Sequence, residues 1–180
     1  MTRSIVAQVT GPRLRLRLIT PEDASYVHSL RLNPLYNRHL SAVTGTVEDQ
    51  RKWIEHYKVQ EAQCQQLYYV IERHDGERCG LVRLYDINDT QFTWGSWILD
   101  ANKPPKAALE SAVLSFGIGF DYLDLMVAKV DVRVENTHAE AFYRRLGMIE
   151  TDRTARDIFF CYPRELFEET RFTYIEILKR

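Results

Sequence analysis

The chain has 180 residues, 45% hydrophobic and 27% charged, which is the length of one ordinary domain and excludes a disordered or fibrous protein. Its 24 basic and 25 acidic residues leave a formal charge of -1, so there is no overall electrostatic reason to bind nucleic acid or an anionic membrane. Cys64, Cys79 and Cys161 are too few and scattered for a zinc or disulfide framework, no apolar run approaches the ~18 residues of a membrane span, and the first twelve residues lack the apolar core of a secretion signal, so a soluble cytoplasmic protein without a metal is expected.

Leu14, Leu16 and Leu18 alternate with Arg13, Arg15 and Arg17, the period-two pattern of a half-buried strand whose charges guard an edge. A nucleic-acid stripe is the weaker reading of these arginines. Thr20-Pro21-Glu22-Asp23 opens a helix with Ala24, Val27, Leu30 and Leu32 on its apolar face, and Asn33-Pro34 ends it. An irregular stretch with Tyr36, Asn37 and His39 leads to a second helix, opened by Thr46 and Asp49, with Trp53, Ile54 and Tyr57 on one side. Two helices directly after one strand make a lid over a site.

Residues 67–73, 79–87 and 92–99 then read as an antiparallel meander, turning at His74-Asp75-Gly76-Glu77 and Asn88-Asp89. A long helical segment spans 107–123, with Leu109, Val113, Phe116 and Phe120 at helical spacing; Val127, Val130, Val132 and Val134 form a buried strand, and a helix covers 137–146. Phe159-Phe160 opens one or two more strands and a short helix. No linker, repeat or charge block marks a boundary, so residues 1–180 read as one α+β domain around a central mixed sheet, mostly antiparallel.

The segment Glu135 to Met148 carries the clearest signal. Thr137 and Glu140 form a capping box, Gly147 stops the helix, Ala139, Phe142 and Leu146 make its buried stripe, and Asn136 sits where strand gives way to helix. Tyr143, one turn beyond Ala139, can point its phenol into a cleft. On these residues alone a well-capped amphipathic helix is an equal alternative. The run Asn136-x-x-Ala139-x-x-Phe142-Tyr143-x-x-x-Gly147 resembles the second coenzyme-A motif of the GCN5-related N-acetyltransferase (GNAT) superfamily, and the order of elements is similar to that fold over nearly the whole chain. The resemblance implies acetyl-CoA as co-substrate, Asn136 beside the pantetheine arm, and Tyr143 as the acid that protonates the departing thiolate. It also implies that the strand around Trp97, Ile98 and Leu99 flanks the pantetheine, where an N–H can polarise the thioester carbonyl.

The family's pyrophosphate loop has a basic residue and two glycines before the long helix. Here Asp100 to Glu110 takes that place without a glycine, and Pro104 and Lys106 stand at the glycine positions. Prolines donate no N–H, so the expectation is that amides of Lys106, Ala107 and Ala108 at the helix start, with the charges of Lys103 and Lys106, hold the diphosphate. The opposite expectation is a loop that no longer binds coenzyme.

Asn37 to Tyr57, Arg83-Leu84-Tyr85 and Phe92 to Trp97 are more loosely similar to a GNAT branch of bacterial surface-polysaccharide and nonulosonate pathways, whose acceptor is an amine on a nucleotide-linked sugar. This places Asn37, His39, Trp53, Arg83, Tyr85 and Trp94 around the acceptor, with Trp53, Tyr57, Tyr85 and Trp94 as a stacking surface, although core packing suits each aromatic as well. His39 is the candidate base, with a chain of waters as its equal; histidine titrates in the useful range. The expected partner is a small-molecule amine, with a homodimer compatible with the reading. The rivals are N-acetylation of a protein terminus or side chain, and a catalytically silent binding module.

Overall fold

The computed structural model describes residues 3–180, and within them the chain forms one eight-stranded sheet with helices on both faces. In chain order the elements are β1 (Gln8–Thr10), β2 (Leu14–Leu18), α1 (Ala24–Leu32), α2 (Pro34–Asn37), α3 (Val47–Ala62), β3 (Leu67–Arg73), β4 (Arg78–Tyr85), β5 (Gln91–Leu99), α4 (Ala107–Gly117), β6 (Val127–Arg133), α5 (Thr137–Arg145), β7 (Ile149–Arg153), β8 (Asp157–Pro163) and α6 (Arg164–Lys179). The strand order is β1-β2-β3-β4-β5-β6-β8-β7, and among the described residues β5 with β6 is the parallel pair in an otherwise antiparallel sheet.

Both faces are packed, and β3 shows why residues 67–71 are all apolar or aromatic. Leu67, Tyr69 and Ile71 face one core with α4, α5 and α6, while Tyr68 and Val70 face a second core closed by Ala24, Val27 and Leu30 of α1 and Ile54 and Tyr57 of α3. Each of these large side chains contributes about 2 kcal/mol by leaving water. The helical segment after Lys106 runs as α4 to Gly117 and then widens into a π-turn over Ile118–Tyr122. Gly119 there lies against Phe92, whose ring would stand 2.3 Å from an added Cβ.

Several expectations are corrected. β2 is not an edge strand: β1 covers it, a three-residue strand too short to show a period. Its arginines are neutralised at home. Arg15 donates to Glu72 at 2.6 Å, and Arg17 pairs with Glu72 and, at 2.8 Å, with Asp23, which leaves no basic stripe. Leu32 is 47% exposed and does not join the α1 core. β7 gives no clear sequence signal because it is a sheet edge with an exposed, polar sequence, and the C-terminal helix is a full 16 residues. The cap of α5 is Asn136, whose side chain accepts the Ala139 N–H at 3.2 Å, and not Thr137. Gly147 ends that helix in the left-handed region at φ 90°.

Candidate active site

The main cleft lies where β5 and β6 part. Their ladder holds only from Gln91–Val127 to Thr93–Lys129. Beyond it β5 carries a bulge against β4, between the pairs Arg83–Gly95 and Leu81–Ile98, with Ser96 in the left-handed region at φ 49°. A bulge bends a strand, and this one turns β5 away from β6. The resulting cleft has a volume of about 470 Å³ and is walled by residues 95–99 of β5, residues 131–133 of β6, Asn136 to Arg145 along α5, Lys103 and Ala108 at the start of α4, and residues from Leu35 to Leu40 of the lid. This volume suits a small organic ligand.

Tyr143 is 6% exposed and borders the cleft from α5. Burial pushes its phenol well above the ordinary tyrosine range, with Asp131 and Tyr85 adding to the shift. It is therefore protonated at neutral pH and can serve as a proton donor. The ring is held edge-on to Trp94 at 5.9 Å and against Trp97 and Phe142, so its position is fixed by the core.

At the start of α4 the loop is built without glycine, in line with the sequence. Lys106 nonetheless adopts the backbone of one, at φ 65°, a conformation that costs an ordinary residue about 1–2 kcal/mol. Its ammonium turns away from the cleft and donates to the Ile177 carbonyl at 2.8 Å, which corrects the expectation of two lysines facing the diphosphate. Lys103 lines the cleft. The Ala107 N–H is already bonded to the Pro104 carbonyl, whereas those of Lys106 and Ala108 meet no protein acceptor among the described residues. Two free amides, one lysine and a helix N-terminus fit a diphosphate.

Trp97, Ile98, Leu99, Asn136 and His39 all line the cleft. Trp94 does not: at 1% exposure it stacks on Phe116 and donates to Ser115 Oγ at 2.8 Å, so it is core and not a stacking surface for an acceptor. Tyr57 is likewise core, its hydroxyl accepting the Tyr68 N–H at 2.7 Å. Trp53, stacked on Tyr57 and 38% exposed, and Asn37 lie outside the lining of the cleft. Arg83 and Tyr85 line a neighbouring pocket instead.

Asp131, absent from the sequence reading, stands on the β6 side of the cleft with no hydrogen bond or ion pair to its carboxylate among the described residues. Although it is exposed to the cleft, the surrounding protein displaces enough water to raise its pKa, Asp157 adding and Arg133 opposing. An alternating strand of valines gives no signal for it beyond one acid between apolar neighbours. Among the described residues no group of histidine, cysteine, aspartate or glutamate side chains is arranged to hold a metal ion, and no helix is long and apolar enough to cross a membrane.

A parallel seam opens into a cleft here, with a helix start aimed at it and a buried phenol at its side, and a family model described as an acetyltransferase (GNAT) domain matches residues 13–149. The chain belongs to the GNAT family. It is an N-acetyltransferase, and GNAT enzymes use acetyl-CoA. A solved structure described as apo FdhC, a nucleotide-linked sugar GNAT, is 30% identical, covering 95% of this chain and 98% of its own, with a TM-score of 0.86. Spermidine N-acetyltransferase from Vibrio cholerae, solved with CoA and spermine, shares the fold at 19% identity and a TM-score of 0.73, with 88% and 99% of the two chains covered. An acetyltransferase structure from T. thermophilus does so at 16% identity and a TM-score of 0.76, covering 97% and 98%. No curated protein matches the chain.

Proposed function

We propose that this GNAT enzyme acetylates a primary amine of a nucleotide-linked amino sugar, with acetyl-CoA as donor. The likeness to FdhC over nearly the full length of both chains carries the choice of acceptor, and a polar pocket beside the cleft supports it, since such a substrate needs room for more than an amine.

When bound, acetyl-CoA supplies the thioester carbonyl that the amine attacks. The chain's own residues do the rest. The free amides of Lys106 and Ala108 and the charge of Lys103 hold the diphosphate, and Asn136 fixes the turn into α5 beside the pantetheine. A β5 amide between Trp97 and Leu99 faces the developing oxyanion, where a fixed donor is most effective. His39, over the cleft from the lid, takes the proton the ammonium must lose, directly or through water. The N–C bond forms, the C–S bond breaks, the nitrogen releases its second proton to water, and Tyr143 gives its proton to the thiolate and regains one from solvent. Cys79 takes no part as a nucleophile: burial, aided by Asp100, pushes its thiol up to about 12.

Thiol release from acetyl-CoA, measured across nucleotide-linked amino sugars, free amino sugars, polyamines and peptides, tests the proposal. Turnover should be fastest with a nucleotide-linked amino sugar. Preference for a peptide would transfer the enzyme to protein acetylation, and preference for a free polyamine would overturn the nucleotide-sugar reading.

A further inference from the structure

Beside the acetyl cleft lies a second cavity of about 440 Å³, walled by Gln60 of α3, Gln65 and Gln66 of the loop that follows it, Arg83 and Tyr85 at the end of β4, and Asp86 and Ile87 just beyond. Its lining is more polar than apolar. Arg83 is the unusual member. Among the described residues three arginines have a buried Nε without a partner: Arg31, Arg83 and Arg171. Arg31 uses its terminal nitrogen on Ser41, and Arg171 forms a two-pronged pair with Asp121. No nitrogen of the Arg83 side chain makes a hydrogen bond or ion pair among the described residues, Asp86 included.

The strands hold this guanidinium in place. Arg83 is directly opposite Tyr68 on β3 and Gly95 on β5. Its guanidinium lies 4.3 Å from the centre of the Tyr85 ring and 5.8 Å from that of Tyr68. Both rings lie within cation–π reach of the guanidinium, and its N–H fork meets no acceptor among the described residues. A half-buried cation with vacant donors is costly unless something completes it, and a fork of this kind matches the paired oxygens of a phosphate.

The second cavity also adjoins the first. Tyr85 lines the polar pocket, and its Cε1 and hydroxyl would stand only 3.3 Å from a Cβ added to Gly95, a residue that lines the cleft. One tyrosine ring therefore separates Arg83 from the cleft where Tyr143 and Asp131 sit.

We propose that Arg83, presented by Tyr85 and Tyr68, is the phosphate-binding residue of the acceptor subsite, taking an oxyanion of the diphosphate while the sugar amine reaches past Gly95 toward Asp131 and Tyr143. The assignment to an acceptor rests on the nucleotide-sugar reading; the anion site itself does not.

The test is a titration of the full chain, saturated with coenzyme A so that the donor site is filled, with uridine diphosphate, thymidine diphosphate and inorganic pyrophosphate, on the parent, Arg83→Gln and Arg83→Lys. At least one nucleoside diphosphate is expected to bind the parent, to bind Arg83→Gln at least tenfold more weakly, and to be partly restored by Arg83→Lys, with the KM for acetyl-CoA unchanged within twofold as the control for folding. Pyrophosphate binding with the same dependence would assign the site to phosphate alone; nucleoside binding that ignores Arg83 overturns the proposal. So does the absence of any binding to the parent at millimolar concentration. If a nucleotide-linked amino sugar is turned over with the same KM by Arg83→Gln, the anion site falls and the acceptor reading stands. If no such sugar is turned over while Arg83→Gln still loses the diphosphate, the acceptor reading falls and the anion site stands.

Discussion

The two sides of the cleft are made of different material. The side proposed to hold the donor is largely backbone: free amides at the start of α4, the parted edges of β5 and β6, and the cap of α5. The side proposed for the acceptor is side chains, namely His39 lining the cleft from the lid, with Arg83 and Tyr85 in the neighbouring pocket behind Gly95. A backbone surface asks only that each residue adopt the right dihedrals, so Lys106 can stand in a left-handed position ordinarily given to glycine. A side-chain surface depends on which atoms are present. The donor side can therefore stay constant while its sequence changes, and the acceptor side cannot.

Substitutions should respect that division. Tyr143→Phe removes the proposed proton donor and should lower kcat by about 100-fold or more while leaving the KM for acetyl-CoA within about threefold; steady-state kinetics with thiol detection reads both, and an unaffected kcat would remove the phenol from the mechanism. Asp23→Asn asks whether paired and unpaired arginines differ as described. Burial pulls the Asp23 pKa up, but the hydrogen bonds from Arg17 and the Thr20 N–H pull it further down, so it lies below the ordinary 3.8. A carboxylate whose folded pKa is depressed stabilises above its unfolded value and ceases to do so as pH falls through the folded one. The urea midpoint of the parent should thus drop below about pH 4, the Asp23→Asn protein should lose about 3 kcal/mol at pH 7 and show a shallower acid limb, and Arg83→Gln, with no partner to strand, should unfold at the parent's midpoint or above it.

Smaller effects separate the lysines of the donor loop. Lys103→Ala should raise the KM for acetyl-CoA about fivefold, as for one partly screened charge contact of ~1 kcal/mol, and less at high salt. Lys106→Ala, whose ammonium is engaged with Ile177, should change that KM less than twofold and cost stability instead; equal effects on KM would return both ammonium groups to the diphosphate. On the proposed acceptor side, His39→Ala should lower kcat/KM for the amine about tenfold without altering the KM for acetyl-CoA. An unchanged kcat/KM would give the proton to water alone.

Much of this architecture is readable from the chain. The apolar run of β3 ends in an Asp-Gly turn, which bounds it at 67–73, and the helix after Asn136 is recognisable from its cap, stripe and glycine stop. The tryptophans are not separable. Residues 94 and 97 should fall on opposite faces of a regular strand, but the bulge at Ser96 shifts the alternation, so that both indoles point at α4 and donate to serines one turn apart, Ser115 and Ser111. Nothing in Gly95-Ser96 announces that slip. Charge partners are equally hidden: Arg15, Arg17 and Arg83 are the same residue on similar strands, and only the fold reveals that Glu72 and Asp23 attend two of them.

The short ladder between β5 and β6 has a mechanical side. Three residue pairs, Gln91–Val127, Phe92–Ala128 and Thr93–Lys129, stitch the two halves of the sheet together at its crease. Like the rivet of a pair of tongs, that seam sets how far the jaws stand apart at Leu99 and Arg133, although none of its six residues borders the gap it governs.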